Sequence, residues 1–259
     1  VDNNGMVTAQ NYGTTKIEVS TNKLPNKAIV TVEVLRKDDI AMPKVVSGQN
    51  FTIALKADGT VWTWGYNYQG QLGLGDNSNR YKPTQVNIKD VIDVAAGSNH
   101  VLALTKDGKL YSFGSNSYGQ LGRQGNTLIP QEIEGLENVI KIAASTYHSM
   151  ALTSEGNVYT WGYNGYGQLG DNSTVSRSIP TRIEGLEKIK NVYSYGNTSM
   201  AINENGEIYV WGYGYNKVPT KLDFYSKAVD IHGKLILAED GSVWTLSLNP
   251  TKIAGLSNI

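Results

Sequence analysis

The chain has 259 residues, 40% hydrophobic and only 18% charged, with 28 glycines. That is enough apolar mass for one large core, in a composition suited to short strands and tight turns. Lys+Arg and Asp+Glu balance at 23 each, which argues against nucleic acid or an anionic membrane surface as partner. Cys is absent, so disulfides and thiolate metal sites are excluded, and no stretch approaches the roughly 18 apolar residues of a membrane span.

In chain order, Val1 to Gly13 is polar and does not read as a signal peptide. Strand-like alternation follows at Lys16 to Val19 and at Ile29 to Val34, and Arg36-Lys37-Asp38-Asp39 reads as a linker. From there the chain repeats itself. Acidic-Gly or Asn-Gly pairs fall at Asp58-Gly59, Asp107-Gly108, Glu155-Gly156, Asn205-Gly206 and Asp240-Gly241, in steps of 49, 48, 50 and 35 residues. An aromatic-Gly pair follows the first four, at Trp64-Gly65, Phe113-Gly114, Trp161-Gly162 and Trp211-Gly212; Leu246-Ser247 takes that place in the fifth. Gly-Gln-Leu-Gly then occurs at 70–73, 119–122 and 167–170, and each copy carries a later proline, Pro83, Pro130, Pro180, Pro219 and Pro250.

Each unit predicts strands and turns. Val101 to Leu104 and Leu110 to Phe113 flank Lys106-Asp107-Gly108-Lys109, a two-residue hairpin signal. The returning strands alternate an aromatic with a smaller residue, so both faces are largely apolar, as expected of a small sheet sandwiched between neighbours. The proline marks the start of a third run where a missing N–H is tolerated. No segment holds a 3.6-residue period, so no long helix is expected. Such sheets cannot bury both faces alone, and stacking around an axis solves this. The expected fold is all-β, a β-propeller of about five visible units. A linear β-solenoid is the weaker alternative, because its coils repeat at shorter spacing.

The unit Ala95-Ala96-Gly97-Ser98-Asn99-His100-Val101-Leu102-Ala103-Leu104, followed by Asp107-Gly108, Phe113-Gly114 and Gly119-Gln120-Leu121-Gly122, resembles the regulator-of-chromosome-condensation repeat. The resemblance covers about residues 40 to 259 and implies a propeller that commonly has seven blades and serves protein interaction. Copies four and five depart from the motif: Tyr213-Gly214-Tyr215-Asn216-Lys217-Val218-Pro219 lacks Gly-Gln-Leu-Gly. The closing Ala254 to Ile259 matches Glu134 to Val139, the lead-in to a further unit, which reads as an excerpt of a longer protein. Residues 1–37, through Val1 to Ala9, Gly13 to Val19 and Ala28 to Val34, resemble the second half of a group 2 bacterial immunoglobulin-like domain. The expected organisation is therefore a partial immunoglobulin-like segment at 1–37 and a propeller at 38–259, with a secreted or cell-surface setting in a bacterium.

Catalytic chemistry finds little support. Gly-x-Ser-x-Gly, Gly-x-x-x-x-Gly-Lys-Ser/Thr and His-Glu-x-x-His are absent, and no catalytic residue, metal or cofactor is assigned. His100 and His148 hold the same place in successive repeats, where Phe51 and Thr198 are the equivalents; they read as architectural, satisfying backbone groups near the axis. Asp76-Asn77-Ser78-Asn79 and Asp171-Asn172-Ser173-Thr174 offer oxygen atoms to calcium but read first as polar turns. Trp62, Trp64, Trp161, Trp211 and Trp244 are assigned to core packing.

Tyrosine carries the functional expectation. Tyr66, Tyr68, Tyr118, Tyr163, Tyr166, Tyr213 and Tyr215 fall in one recurring loop, between the aromatic-Gly pair and Gly-Gln-Leu-Gly or its equivalent. Among Gly, Asn and Ser they either present rigid amphipathic surface for binding or plug the channel mouth. The expected function is a non-enzymatic protein-interaction scaffold, with a carbohydrate-binding adhesin as the alternative. No nucleic acid and no membrane insertion are expected.

Overall fold

The computed structural model describes the backbone of residues 13–21 and 24–34, and backbone and side chains of residues 41–256. In the first of these parts, β1 (Gly13–Thr21) and β2 (Leu24–Val34) form an antiparallel pair. The rest of the immunoglobulin-like reading at 1–37 lies outside the described residues, as do the last three residues of the predicted lead-in.

Five sheets follow. Sheet one is β3 (Lys44–Ser47), β4 (Phe51–Leu55), β5 (Val61–Gly65) and β6 (Arg80–Gln85). Sheet two is β7 (Val91–Ala96), β8 (His100–Thr105), β9 (Leu110–Gly114) and β10 (Gln131–Glu132). Sheet three is β11 (Val139–Ala144), β12 (His148–Thr153), β13 (Val158–Gly162) and β14 (Arg177–Arg182). Sheet four is β15 (Ile189–Tyr195), β16 (Thr198–Asn203), β17 (Ile208–Gly212) and β18 (Thr220–Lys221). Sheet five is β19 (Ala228–His232), β20 (Leu235–Ala238) and β21 (Val243–Thr245), with a lone bridge from Trp244 to Lys252 where the others have a fourth strand. Every sheet is an antiparallel meander, and no helix occurs among the described residues.

The second-to-third strand turns differ from the expected two-residue loop. Gly108 N–H donates to the Thr105 carbonyl and Thr105 N–H to the Lys109 carbonyl, with Gly108 at φ 79°. This is a type I turn closed by a left-handed glycine, a three-residue loop. The same pair of bonds recurs at 56–60, 153–157, 203–207 and 238–242. An acidic-Gly pair suits both turn types, which is why the spacing alone misread it. The prolines behave as a missing donor requires: Pro83 and Pro180 lie in the outer strands β6 and β14, beside register shifts in the ladder.

The cores lie between sheets, not within them. On β8, Val101 and Ala103 join the cluster with sheet one, whereas Leu102 and Leu104 join the cluster with sheet three. On β12, Ala151 points back and Met150 and Leu152 forward; on β16, Ala201 points back and Met200 and Ile202 forward. The period-two alternation thus divides each central strand between two cores. A small alanine faces one neighbour while long aliphatics face the other, which lets facing layers interdigitate at close-packed density. Close approaches between neighbouring sheets are made by first and second strands, such as β3 and β4 with β7, and β7 and β8 with β11. The first strands are therefore innermost, and the sheets radiate from them as blades.

A glycine completes each of the first three joints. A Cβ built on Gly170, at φ +78°, would lie 2.8 Å from Trp211 Nε1 of the next sheet. Gly73 and Gly122 stand in the same relation to Phe113 and Trp161. Gly170→Ala is expected to cost about 3 kcal/mol, combining left-handed strain with overpacking. Gly185→Ala, at φ +79° with nothing within 4 Å, is expected to cost about 1 kcal/mol from strain alone. Urea denaturation of both variants checks the difference; equal losses would remove the packing role of Gly170.

Candidate functional site

Because strands alternate in direction, the loops joining first to second and third to fourth strands share one end of the blades. The Asp-Gly turns share the other. All seven predicted tyrosines lie in third-to-fourth strand loops, at the first of these ends. Tyr66 and Tyr68 pack edge to face at 5.4 Å on sheet one. Across sheets two to four the rings form a chain: Tyr118 to Tyr163 at 4.9 Å, Tyr163 to Tyr166 at 6.2 Å, and Tyr166 to Tyr213 at 5.0 Å. Tyr66, Tyr68, Tyr118, Tyr166 and Tyr213 are exposed and Tyr163 is half-buried. Tyr215 departs from the set: it packs against the core between sheets four and five, and burial raises its phenol pKa.

Two tyrosines were missed. Tyr147 packs 5.1 Å from Tyr118 and 6.3 Å from Tyr163, closing a three-ring cluster. It lies in a first-to-second strand loop, where copies one, two and four have Asn50, Asn99 and Asn197. That substitution in the repeat frame was the available signal. Tyr195, half-exposed at the end of β15, stands on the same side.

The loops beneath these rings are held by buried amides. Asn67, Asn116 and Asn164 each accept the amide N–H of the Gly-Gln-Leu-Gly leucine at 2.9 Å. Gln71, Gln120 and Gln168 each accept the N–H two residues earlier, at 2.8–2.9 Å. Hydroxyls of Thr63, Ser112 and Thr160 donate to the leucine carbonyls. Gln71 and Gln168 also donate across the joint to Asn99 and Asn197. Leu72, Leu121 and Leu169 are fully buried. The asparagine lies two residues after each glycine of the aromatic-Gly pair, a spacing legible in the sequence but unused.

Neither acidic loop is an open calcium site. Asp76 binds Arg80 at 2.6 Å and Asp171 binds Arg177 at 2.7 Å, each fastening the loop to its outer strand. The Arg80 guanidinium and the Ser78 amide hold Asp76 below the usual carboxylate range. Burial pushes Asp171 upward, but hydrogen bonds from Ser173 and Arg177 outweigh it and leave its pKa lowered. Trp161 and Trp211 are fully buried as expected, whereas Trp62, Trp64 and Trp244 are half-buried.

The histidines are architectural, but their partner is a hydroxyl of the next sheet and not backbone. His100 Nε2 lies 3.0 Å from Ser149 Oγ, and His148 Nε2 lies 2.9 Å from Ser199 Oγ. Each serine donates its one proton to a glutamine carbonyl, Ser149 to Gln120 at 2.8 Å and Ser199 to Gln168 at 2.7 Å. The histidines must therefore donate through Nε2–H, leaving Nδ1 without a partner. Trp161 and Trp211 donate to the same two carbonyls at 2.9 Å.

These features define a β-propeller assembled from one repeated sheet unit with an aromatic end. The chain belongs to the RCC1-like domain family, whose model matches residues 4–258. Its fold is similar to that of Prp20p from Saccharomyces cerevisiae, at a TM-score of 0.70 and 21% identity over 82% of this chain and 63% of that one. It is also similar to human WBSCR16, at 0.67 and 23% over 78% and 57%. The Arabidopsis thaliana ultraviolet-B receptor UVR8 is 38% identical over 47 residues, 18% of this chain and 11% of that protein. The chain thus spans about three fifths of the solved structures it matches.

Burial keeps both histidines neutral, lowering His100 to about 3, with help from nearby His148, and His148 to about 4. The unfolded chain takes up these protons from about pH 6.5 downward while the fold does not, so stability falls as pH drops from there toward 4. A His100→Gln/His148→Gln variant keeps a donor for each serine and removes the titration. It is expected to lose roughly 2 kcal/mol less per histidine between pH 7 and pH 4.5, by urea denaturation. A pH dependence identical to that of the parent protein would refute the assignment.

Proposed function

We propose that the aromatic end of the propeller is a protein-docking face and that the module acts by binding rather than catalysis. The observation that carries this reading is the ring chain from Tyr147 through Tyr118, Tyr163 and Tyr166 to Tyr213. Exposed tyrosines on pre-ordered loops supply large amphipathic contact area at low entropic cost, the composition of rigid paratopes. Proteins of similar fold support the class of partner: Prp20p is described by its binding to Gsp1p and histones, and yeast RCC1 (Prp20) was solved bound to Kap60. Identity near one fifth transfers the fold and none of those partners.

A secreted or surface setting in a bacterium belongs to the same proposal and rests on the N-terminal resemblance; finding the intact protein only in cytosolic fractions would overturn it. The docking face is tested by installing a photo-crosslinking residue in place of Tyr118 or Tyr213, and at Glu155 on the opposite end as control. One discrete protein is expected to crosslink from the two tyrosine sites and not from Glu155. A Tyr118→Ala/Tyr166→Ala/Tyr213→Ala variant is expected to weaken that complex at least about tenfold at unchanged melting temperature, the range of an interface anchor. Crosslinks confined to Glu155, or a glycan-array signal with no protein captured, would refute it.

A further inference from the structure

The joint between sheets four and five lacks the part that fills the other three. In joints one to three, Gly-Gln-Leu-Gly of one sheet buries its leucine and lays its glutamine against the next sheet. Sheet four has no such tetrapeptide, and its mouth loop is only 213–219, against 66–79, 115–130 and 163–176. What remains is a cavity of about 440 Å³ at the tyrosine end. Its apolar wall includes Met200, Tyr213, Tyr215, Leu246 and Leu248.

The polar side of this cavity is equally specific. Aligned by the hairpin turns, Leu246 takes the place of Trp161 and Trp211, and Lys234 takes the place of Ser149 and Ser199. Those serines donate to a glutamine carbonyl of the preceding sheet. Lys234 stands at a donor position whose acceptor is missing. It is exposed, it is the one charged residue in the lining, and no carboxylate pairs with it among the described residues. The two acidic groups of the mouth loops, Asp76 and Asp171, are engaged by Arg80 and Arg177.

We infer that this open joint receives a peptide segment of the docked partner, with a carboxylate for Lys234 and an adjacent aliphatic side chain for the apolar wall. The segment would stand in for the absent Gly-Gln-Leu-Gly, with glutamate in place of glutamine. The inference rests on the docking-face reading and gives that face its charge preference. Charge complementarity selects an acidic occupant, because a basic segment would meet a like charge and a neutral one would offer Lys234 a carbonyl oxygen but no opposite charge.

The test is an NMR titration of the 15N-labelled chain with three acetylated and amidated peptides, Ser-Tyr-Gly-Glu-Leu-Gly-Ser and its glutamine and lysine versions at the fourth position. The glutamate peptide is expected to shift amides of 213–215, 233–234 and 246–249, to bind roughly fivefold tighter than the glutamine peptide, and to weaken as salt is raised. Lys234→Ser restores the residue of the other joints and is expected to erase the glutamate preference while the glutamine peptide still binds. Lys234→Glu is expected to reverse it toward the lysine peptide. Shifts outside the joint, equal binding of all three peptides, or a preference untouched in both variants would overturn the proposal. Tyrosine crosslinks that persist in Lys234→Glu would then leave the docking face standing without this pocket.

Discussion

Two backbone carbonyls, those of Gln120 and Gln168, hold the middle of the molecule together. Each accepts a serine hydroxyl and a tryptophan N–H from the next sheet, and each serine accepts from a histidine of the sheet that carries the glutamine. A three- or four-stranded sheet cannot bury its own two faces, so the joint is the unit of stability. At joint one the same three positions are Phe51, Val101 and Phe113, all in one apolar cluster. The sets change together: wholly apolar at one joint, wholly hydrogen-bonded at the next two. A mixed set, a histidine facing a valine, would leave a buried donor unmade at a cost of about 1–3 kcal/mol.

That joint also determines what the tyrosine end can do. The glutamine whose carbonyl receives the next sheet also folds its side-chain oxygen back onto the loop N–H two residues earlier. The loop is thereby tied to the core at the point where it emerges from it. The asparagine contact to the leucine N–H adds a second tie. Buried, satisfied amides of this kind cost little when made and much when broken, so the loops have few alternatives. Rings mounted on such loops lose little freedom on binding, which connects the packing of the blades to the affinity available at their rim.

Most of the architecture was legible because it repeats. A period near 50 residues, apolar alternation on both faces and a proline confined to the outer strand together admit few folds other than radial stacking of sheets. The turn type was not legible, because Asp-Gly serves two-residue and three-residue loops alike and the difference lies in a hydrogen bond at Thr105. The histidine partner was also hidden, since Ser149 is 49 residues from His100 and adjacency across sheets has no local signature. Tyr147 escaped for the same reason: it joins the ring chain from a different loop, and a search confined to one loop could not collect it. Tyr215 was collected with its neighbours but turns into the core, because with no leucine plug in its loop an aromatic side chain takes up part of that space.

In a repeat protein, features that recur in frame serve the frame, and departures from it are where function has room. The glutamine, leucine and closing glycine recur in three copies; the glutamine and glycine each meet the next sheet, and the leucine is buried and bonded within its own. They would carry the same duties whatever the protein bound. The tyrosines recur loosely, varying in number and position from loop to loop, and five of the seven are exposed whereas Tyr215 turns into the core. The fourth copy departs furthest, losing its tetrapeptide while the sheet after it replaces a serine with Lys234 and a tryptophan with Leu246. The first of those changes removes the acceptor and the last removes the indole donor, whereas Lys234 exchanges a hydroxyl donor for an ammonium that no carboxylate pairs with among the described residues. A joint kept only for stability would retain the acceptor or lose the donor along with it. Here an exposed cation stands at the edge of an apolar cavity, where an anion entering the joint would meet it.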